Sequence, residues 1–151
     1  MSGGPRVLIV EARFYDDITD NLVRGAVAEL TAHGAGYKRV IVPGILEIPA
    51  VIRYAIRAME LRATDQRYAG YVVLGCAIKG KTDHYEHVSR EAIAGVQNMA
   101  LQYTLAVGNG ILTCHSMEDA EERADPDRRN YGGKAAAACM RMIAVKHEIG
   151  L

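Results

Sequence analysis

Short apolar runs rich in β-branched residues recur along this chain, and after each one the apolar residues return with helical period. Arg6 to Ala12 holds Val7, Leu8, Ile9 and Val10 and reads as a first strand; Ile18, Leu22, Ala26, Val27 and Leu30 then mark a helix that Gly34 stops. Arg39 to Val42 reads as a second strand, halted by Pro43 and Gly44. Pro49 suits the first turn of a helix whose buried stripe is Val51, Ile52, Ala55, Ile56 and Met59. Tyr71 to Leu74, ending at Gly75, is a third strand, and Leu105 to Thr113 a fourth, interrupted by Gly108 and Gly110 where a backbone has to approach something closely. Ser116 with Asp119 caps a fourth helix that Asp125-Pro126 breaks, and Lys134 to Lys146 makes a fifth. Strands alternating with helices leave few solutions: a parallel sheet with right-handed crossovers and helices on both faces.

The third crossing carries the most chemistry. After Gly75 comes a loop of small and polar residues. Asp83 stands three residues before Glu86 as a capping box, and Val88, Ile93, Val96 and Ala100 follow at helical spacing. In an open parallel sheet, ligands bind at the carboxyl ends of the strands, and amides at a helix start favour anions, so His84 is expected in that crevice. Histidine is the side chain whose unperturbed pKa lies nearest neutrality, which makes it a candidate for proton transfer. The other histidines are His33, His87, His115 and His147, and position rather than residue type favours His84. His84 and His87 share a helical face, but no Cys or carboxylate stands at ligand spacing, so no metal site is expected.

Other residues join by position. Phe14, the sole phenylalanine, lies in the loop after the first strand, where it either stacks on a flat ring or covers the sheet edge. Glu47 is flanked by Ile45, Leu46, Ile48 and Pro49, and a carboxylate in such apolar company should be hydrogen-bonded or paired, or serve a ligand's donor. Gly80, Lys81 and Thr82 offer loop amides, a cation and a hydroxyl, the inventory of a phosphate site. Arg123 is a second anion partner or a solvated helix arginine.

Composition excludes several classes. A chain of 151 residues suits one domain with an ordinary core. Half its residues are hydrophobic, yet no apolar run approaches the roughly 20 residues that span a bilayer, so a soluble chain is expected and no membrane partner. MSGGPRVLIV lacks the charged and apolar regions of a signal peptide. Three cysteines, Cys76, Cys114 and Cys139, without CxxC spacing suit reduced thiols in a cytoplasm, and their plainest role is as small core residues. With 18 basic and 18 acidic residues there is no basic field to attract nucleic acid.

Five motifs stand in order: ARF at Ala12 to Phe14, PGILEIP at Pro43 to Pro49, LGCAIKGKTDHY at Leu74 to Tyr85, GNGILT at Gly108 to Thr113, and ERA at Glu122 to Ala124. Together they resemble the lumazine synthase family, which supplies the penultimate enzyme of riboflavin biosynthesis, from about Val7 to the last helix. The resemblance implies a flavodoxin-like three-layer α/β sandwich with strand order 2-1-3-4. It implies condensation of 5-amino-6-(D-ribitylamino)uracil with 3,4-dihydroxy-2-butanone 4-phosphate to 6,7-dimethyl-8-ribityllumazine, releasing phosphate and water, with no metal or organic cofactor.

Carried over by position, Phe14 matches the aromatic that stacks on the pyrimidine, and Ile45, Leu46 and Glu47 the segment that holds ring and ribityl chain. Cys76, Ala77 and Ile78 match the strand end whose backbone reads the uracil edge. Lys81 and Thr82 match the phosphate loop, His84 the catalytic histidine, Asn109 a substrate contact from a neighbouring subunit, and Arg123 the phosphate-binding arginine. The family's pentamers place active sites between neighbours, some members build decamers or 60-subunit icosahedral shells, and riboflavin synthase is the candidate protein partner.

Some positions depart from the commoner pattern: Leu46 replaces an aromatic, Lys79 an arginine, Lys81 a small residue or glutamate, and Asn109 a phenylalanine. Tyr131 replaces a lysine, with Arg128, Arg129 and Lys134 close enough in sequence to substitute as cations. A flavin- or lumazine-binding or shell-forming paralogue would need Phe14 and Glu47 but not His84 with Arg123, and all four are retained. A flavodoxin-type electron carrier would need a Ser/Thr-rich phosphate loop after the first strand, which this chain lacks.

Overall fold

Val7 and Ile9 of the first strand point to one face of a sheet and Leu8 and Val10 to the other, and all four are buried. A strand apolar on both faces has to be covered on both, which fixes a three-layer arrangement. The computed structural model, which describes residues 3–151, has that arrangement. Its elements are β1 (Arg6–Ala12), α1 (Asp16–Ala32), β2 (Gly36–Val42), a 3₁₀ turn (Ile45–Glu47), α2 (Ile48–Glu60), β3 (Gly70–Ile78), α3 (His84–Tyr103), β4 (Val107–Cys114), α4 (Met117–Ala124) and α5 (Tyr131–Glu148). The four strands form one parallel sheet in the order β2-β1-β3-β4, as the resemblance implied.

One core gathers Leu22 and Leu30 of α1, Ala120 and Ala124 of α4, and Cys139 and Ile143 of α5 against Ile9, Val72, Leu74 and Leu112 of the sheet. The other gathers Ile48, Ile52 and Ile56 of α2 and Ala92 and Val96 of α3 against Leu8, Val10 and Val73. Each fully buried Ile or Leu contributes about 1.5–3 kcal/mol of transfer free energy. Among the described residues no helix is long and apolar enough to cross a membrane.

Several boundaries differ from those expected. β2 starts at Gly36 rather than Arg39, because Arg6, Val7 and Leu8 pair with Gly36, Tyr37 and Lys38. This is an edge strand with exposed side chains, so its first half carries no apolar signal. β3 does not stop at Gly75 but runs on to Ile78. A Cβ at Gly75 would lie 2.7 Å from Ile45 Cγ2 and 3.0 Å from the Ala12 Cβ, so glycine is there to let the chain pass, not to end the strand. β4 begins two residues later than expected, after Thr104 takes a left-handed conformation at the end of α3 (φ 58°).

The close approach expected at Gly108 is made by α5, where a Cβ would collide with the Ala135 carbonyl; at Gly110 a Cβ would lie 2.7 Å from Leu74 Cδ2 on β3 and 3.1 Å from the Ala135 Cβ. Ser116 caps α4 as expected, accepting from the Asp119 N–H at 3.1 Å. The Asp83 capping box does not form. Asp83 makes no side-chain cap, and the His84 N–H donates instead to Thr82 Oγ1 at 3.3 Å. Nor does Ile93 join the buried stripe of α3; it is exposed, and Ser89, Ala92 and Val96 face the core. α5 starts three residues early at Tyr131, capped by Asn130, whose side chain accepts from the Gly133 N–H.

Candidate active site

With strand order 2-1-3-4 the connections leave the sheet in opposite directions between β1 and β3, and a crevice opens there at the carboxyl ends. A cavity of about 310 Å³ occupies it. Four segments build its walls: Phe14 and Tyr15 after β1; Gly44 to Glu47 after β2; Cys76, Ala77 and Ile78 at the end of β3; and Gly80, Thr82, His84, Tyr85 and Val88 around the start of α3.

Phe14 is 73% exposed, touching Tyr15 edge-on with ring centroids 4.9 Å apart. An aromatic left this open has a free face for a flat partner. Its loop is nonetheless fixed: the Arg13 N–H donates to the Val42 carbonyl at 3.0 Å, and the buried Thr19 hydroxyl to the Ala12 carbonyl at 2.6 Å.

The 3₁₀ turn sends Ile45 and the following Ile48 into the core and leaves Leu46 and Glu47 exposed at the cavity. The expectation that Glu47 is hydrogen-bonded or paired is therefore corrected. Ile45 and Ile48 turn into the core and leave Glu47 at the surface, where the carboxylate carries no burial cost.

Pairing between β1 and β3 ends at Glu11 with Leu74, whereas β3 and β4 stay paired as far as Ile78 with Cys114. The last residues of β3 thus keep one edge for β4 and turn the other to the crevice, where backbone groups can serve a ligand. Burial pushes the Cys76 thiol up to about 12, with Cys114 adding to the effect, so Cys76 lines the cavity as a neutral thiol rather than a nucleophile.

His84 is the first residue of α3 and exposed, next to Thr82, whose oxygen already holds its N–H. The structure thus brings Phe14, Ile45, Leu46, Glu47, Cys76, Ala77, Ile78, Thr82 and His84 around one cavity. Lys81, Asn109 and Arg123 are not among its lining. Lys81 is exposed between two residues that are. Asn109 is exposed on β4, its Oδ1 accepting from the Ile111 N–H at 2.9 Å. Arg123 lies on α4 with Asp119 Oδ1 at 3.6 Å. Among the described residues no three His, Cys, Asp or Glu side chains gather closely enough to hold a metal ion.

Sequence reasoning missed Tyr15, Tyr85 and Val88 as cavity residues, although Val88 stands four positions after His84 and so shares its helical face. It also missed Glu11, whose carboxylate is completely buried on β1, three residues before Phe14. Burial raises the pKa of such a group, but hydrogen bonds from Arg39 and Arg13 outweigh that and hold Glu11 below the usual carboxylate range. The signal was present: a lone acid inside the run VLIVEA.

An open aromatic, a solvated carboxylate, a backbone edge and an imidazole at a helix start can hold a flat polar heterocycle and move protons beside it. Fold and crevice together define a doubly wound α/β protein with a small-molecule site at the switch point of its sheet. A family model described as 6,7-dimethyl-8-ribityllumazine synthase matches residues 4–147. Proteins of that name are similar throughout: one from Paramagnetospirillum magneticum is 49% identical over 97% of this chain and 97% of its own length. One from Afipia carboxidovorans is 48% identical over 97% and 88%, and one from Bartonella tribocorum 46% over 97% and 93%. The chain belongs to the 6,7-dimethyl-8-ribityllumazine synthase family.

Proposed function

We propose that this protein is a transferase of riboflavin biosynthesis that condenses 5-amino-6-(D-ribitylamino)uracil with 3,4-dihydroxy-2-butanone 4-phosphate, giving 6,7-dimethyl-8-ribityllumazine, phosphate and water. The observation that carries this reading is the meeting of Phe14, Glu47, Cys76 to Ile78 and His84 at one cavity of a chain matched by the family over residues 4–147. In it Phe14 stacks on the pyrimidine, the backbone of Cys76, Ala77 and Ile78 reads the uracil edge, and Ile45, Leu46 and Glu47 hold ring and ribityl chain. Lys81, Thr82 and Arg123 take the phosphate, and His84 shuttles protons through imine formation, phosphate elimination and ring closure. These steps need held partners and proton transfer more than a strong nucleophile.

Asn109 and Arg123 lie outside the cavity of their own chain. That separation supports an assembly in which a second copy completes each site, and we infer at least a pentamer, to be checked by light scattering under native conditions; a monomer would leave the site incomplete. Reduced, buried cysteines suit a cytoplasmic location, and riboflavin synthase is the partner that would consume the product. The deciding experiment incubates purified protein with both substrates and follows the lumazine chromophore. Product no faster than the uncatalysed reaction would leave a flavin- or lumazine-binding protein instead.

A further inference from the structure

Glu11 takes no part in the chemistry just described, yet it is a completely buried carboxylate on β1, three residues before Phe14. Its Oε1 accepts from Arg13 Nε at 2.9 Å and from Arg39 Nη2 at 2.8 Å, with Arg13 Nη2 also at 2.8 Å, and its Oε2 accepts from Arg39 Nε at 2.7 Å. Arg13 then reaches out of the core, where Nη1 donates to Asp20 Oδ1 at 2.6 Å and to Asp16 Oδ1 at 3.3 Å. The chain of charges runs from β2 through β1 to the first turns of α1. Its middle member, Arg13, is bonded directly to Phe14.

A completely buried carboxylate is costly unless fully hydrogen-bonded, and an apolar residue in β1 would serve the core at least as well. What the ion pairs add is direction. The three residues between β1 and α1 are Arg13, Phe14 and Tyr15, and the Phe14 ring, exposed and touching little besides Tyr15, cannot orient itself. We propose that Glu11 is a positioning residue for the substrate ring: it locks Arg13 between β1 and α1 and so sets the angle at which Phe14 meets the heterocycle. This rests on the reading of Phe14 as the stacking aromatic.

Glu11→Gln keeps the shape but turns an amide N–H toward the guanidinium donors and removes the charge between them. Arg39, 43% exposed at the sheet edge, can then turn to water, and Arg13 is left to its aspartates. The fixed backbone contacts of Ala12 and Arg13 remain, so the loop loosens rather than unfolds.

The test is steady-state kinetics on Glu11→Gln, Phe14→Ala, the double variant and Asp20→Asn. The KM for the ribitylaminouracil should rise about 3- to 10-fold in Glu11→Gln, as expected from impairing one ring stack. The kcat and the KM for butanone phosphate should stay within about twofold, since neither depends on the stacking angle to the same degree. In the Phe14→Ala background, Glu11→Gln should add nothing to the KM, because no ring is left to orient. Asp20 is 62% exposed, so Asp20→Asn cannot unfold the core, and it should give a smaller rise of the same selectivity that also vanishes without Phe14. Effects on KM that simply multiply between Glu11→Gln and Phe14→Ala, or variants that lose only thermal stability, would reduce Glu11 to a fold-stabilising residue and overturn the proposal. If Glu11→Gln does not fold, Asp20→Asn decides alone. No product from the unaltered protein would sink the functional reading and this proposal with it, whereas normal turnover with unchanged KM values sinks this proposal only.

Discussion

Arg123 and Cys114 meet side chain to side chain, with Nη1 of the arginine 4.0 Å from the sulfur, while Asp119 stands 3.6 Å away on the same helix. Neither partner holds the guanidinium firmly. A thiol is a weak acceptor, and a partly exposed ion pair as long as this one is worth about 0–1 kcal/mol. The Tyr131 side chain is the largest single influence that keeps Arg123 protonated, and on the proposed reading a phosphate arriving at α4 takes the guanidinium with two donors in competition with that contact. Arg123→Ala is expected to raise the KM for the butanone phosphate, leave kcat nearly unchanged and abolish competition by inorganic phosphate, as steady-state kinetics over a range of phosphate concentrations will register. Unaltered phosphate competition in the variant would move the anion site to Lys81 with Lys79.

His84 stands exposed at the start of α3 beside the cavity, so its removal disturbs no packing and melting should be unchanged. On the proposed reading His84→Ala removes a proton shuttle, an effect typically worth about 10²- to 10⁴-fold. This condensation proceeds slowly unaided once the partners are held together, so the loss in kcat should lie at or below the lower end, with both KM values nearly intact. A variant with full kcat across the pH range would mean that protons move by another route.

How legible this molecule is from its sequence depends on whether each residue's neighbours lie near it in the chain. The alternation of β-branched runs with helical stripes showed the α/β layers, because strands buried on both faces and helices buried on one leave different periods. His84 and Phe14 could be placed because loops after parallel strands converge at one edge. The first half of β2 was hidden, since Gly36 to Lys38 become a strand through pairing with Arg6 to Leu8, thirty residues away in sequence. Glu47 misled for the opposite reason: the 3₁₀ turn sends Ile45 and Ile48 inward but leaves Leu46 and Glu47 outside, so apolar neighbours in sequence did not bury it. Glu11 is satisfied mainly by Arg39 on another strand, a partnership that local pattern does not display.

The glycines separate packing from the site. A side chain at Gly108 would collide with the Ala135 carbonyl on α5, and backbone on backbone cannot give way cheaply, while a Cβ at Gly80 meets nothing within 4 Å. Gly108→Ala is expected to cost about 3 kcal/mol or more by overpacking, with loss of soluble folded protein. Gly80→Ala should melt within a degree or two of the parent. Equal melting temperatures for the two variants would show that α5 can retreat from β4.

Glu11 should also make the fold sensitive to acid in a way that reports its charge. Its folded pKa is lowered from the ordinary 4.5 by the hydrogen bonds of Arg39 and Arg13, which overcome the opposing effect of burial. The folded state therefore prefers the ionised form more than the unfolded chain does. That stabilisation is fully present above pH 4.5 and is lost as the pH falls through the folded value. In Glu11→Gln this contribution is absent at every pH. At neutral pH the variant should be less stable by about 1–3 kcal/mol, the cost of leaving charged donors without their acceptor. A wholly buried pair would cost more, about 3–5 kcal/mol, but Arg39 is partly exposed and can be rehydrated. Melting curves of both proteins from pH 7 down to about pH 3 should show the gap shrinking only below the ordinary carboxylate pKa. A gap that stays constant or widens on acidification would mean that Glu11 is not held as a carboxylate by its two arginines.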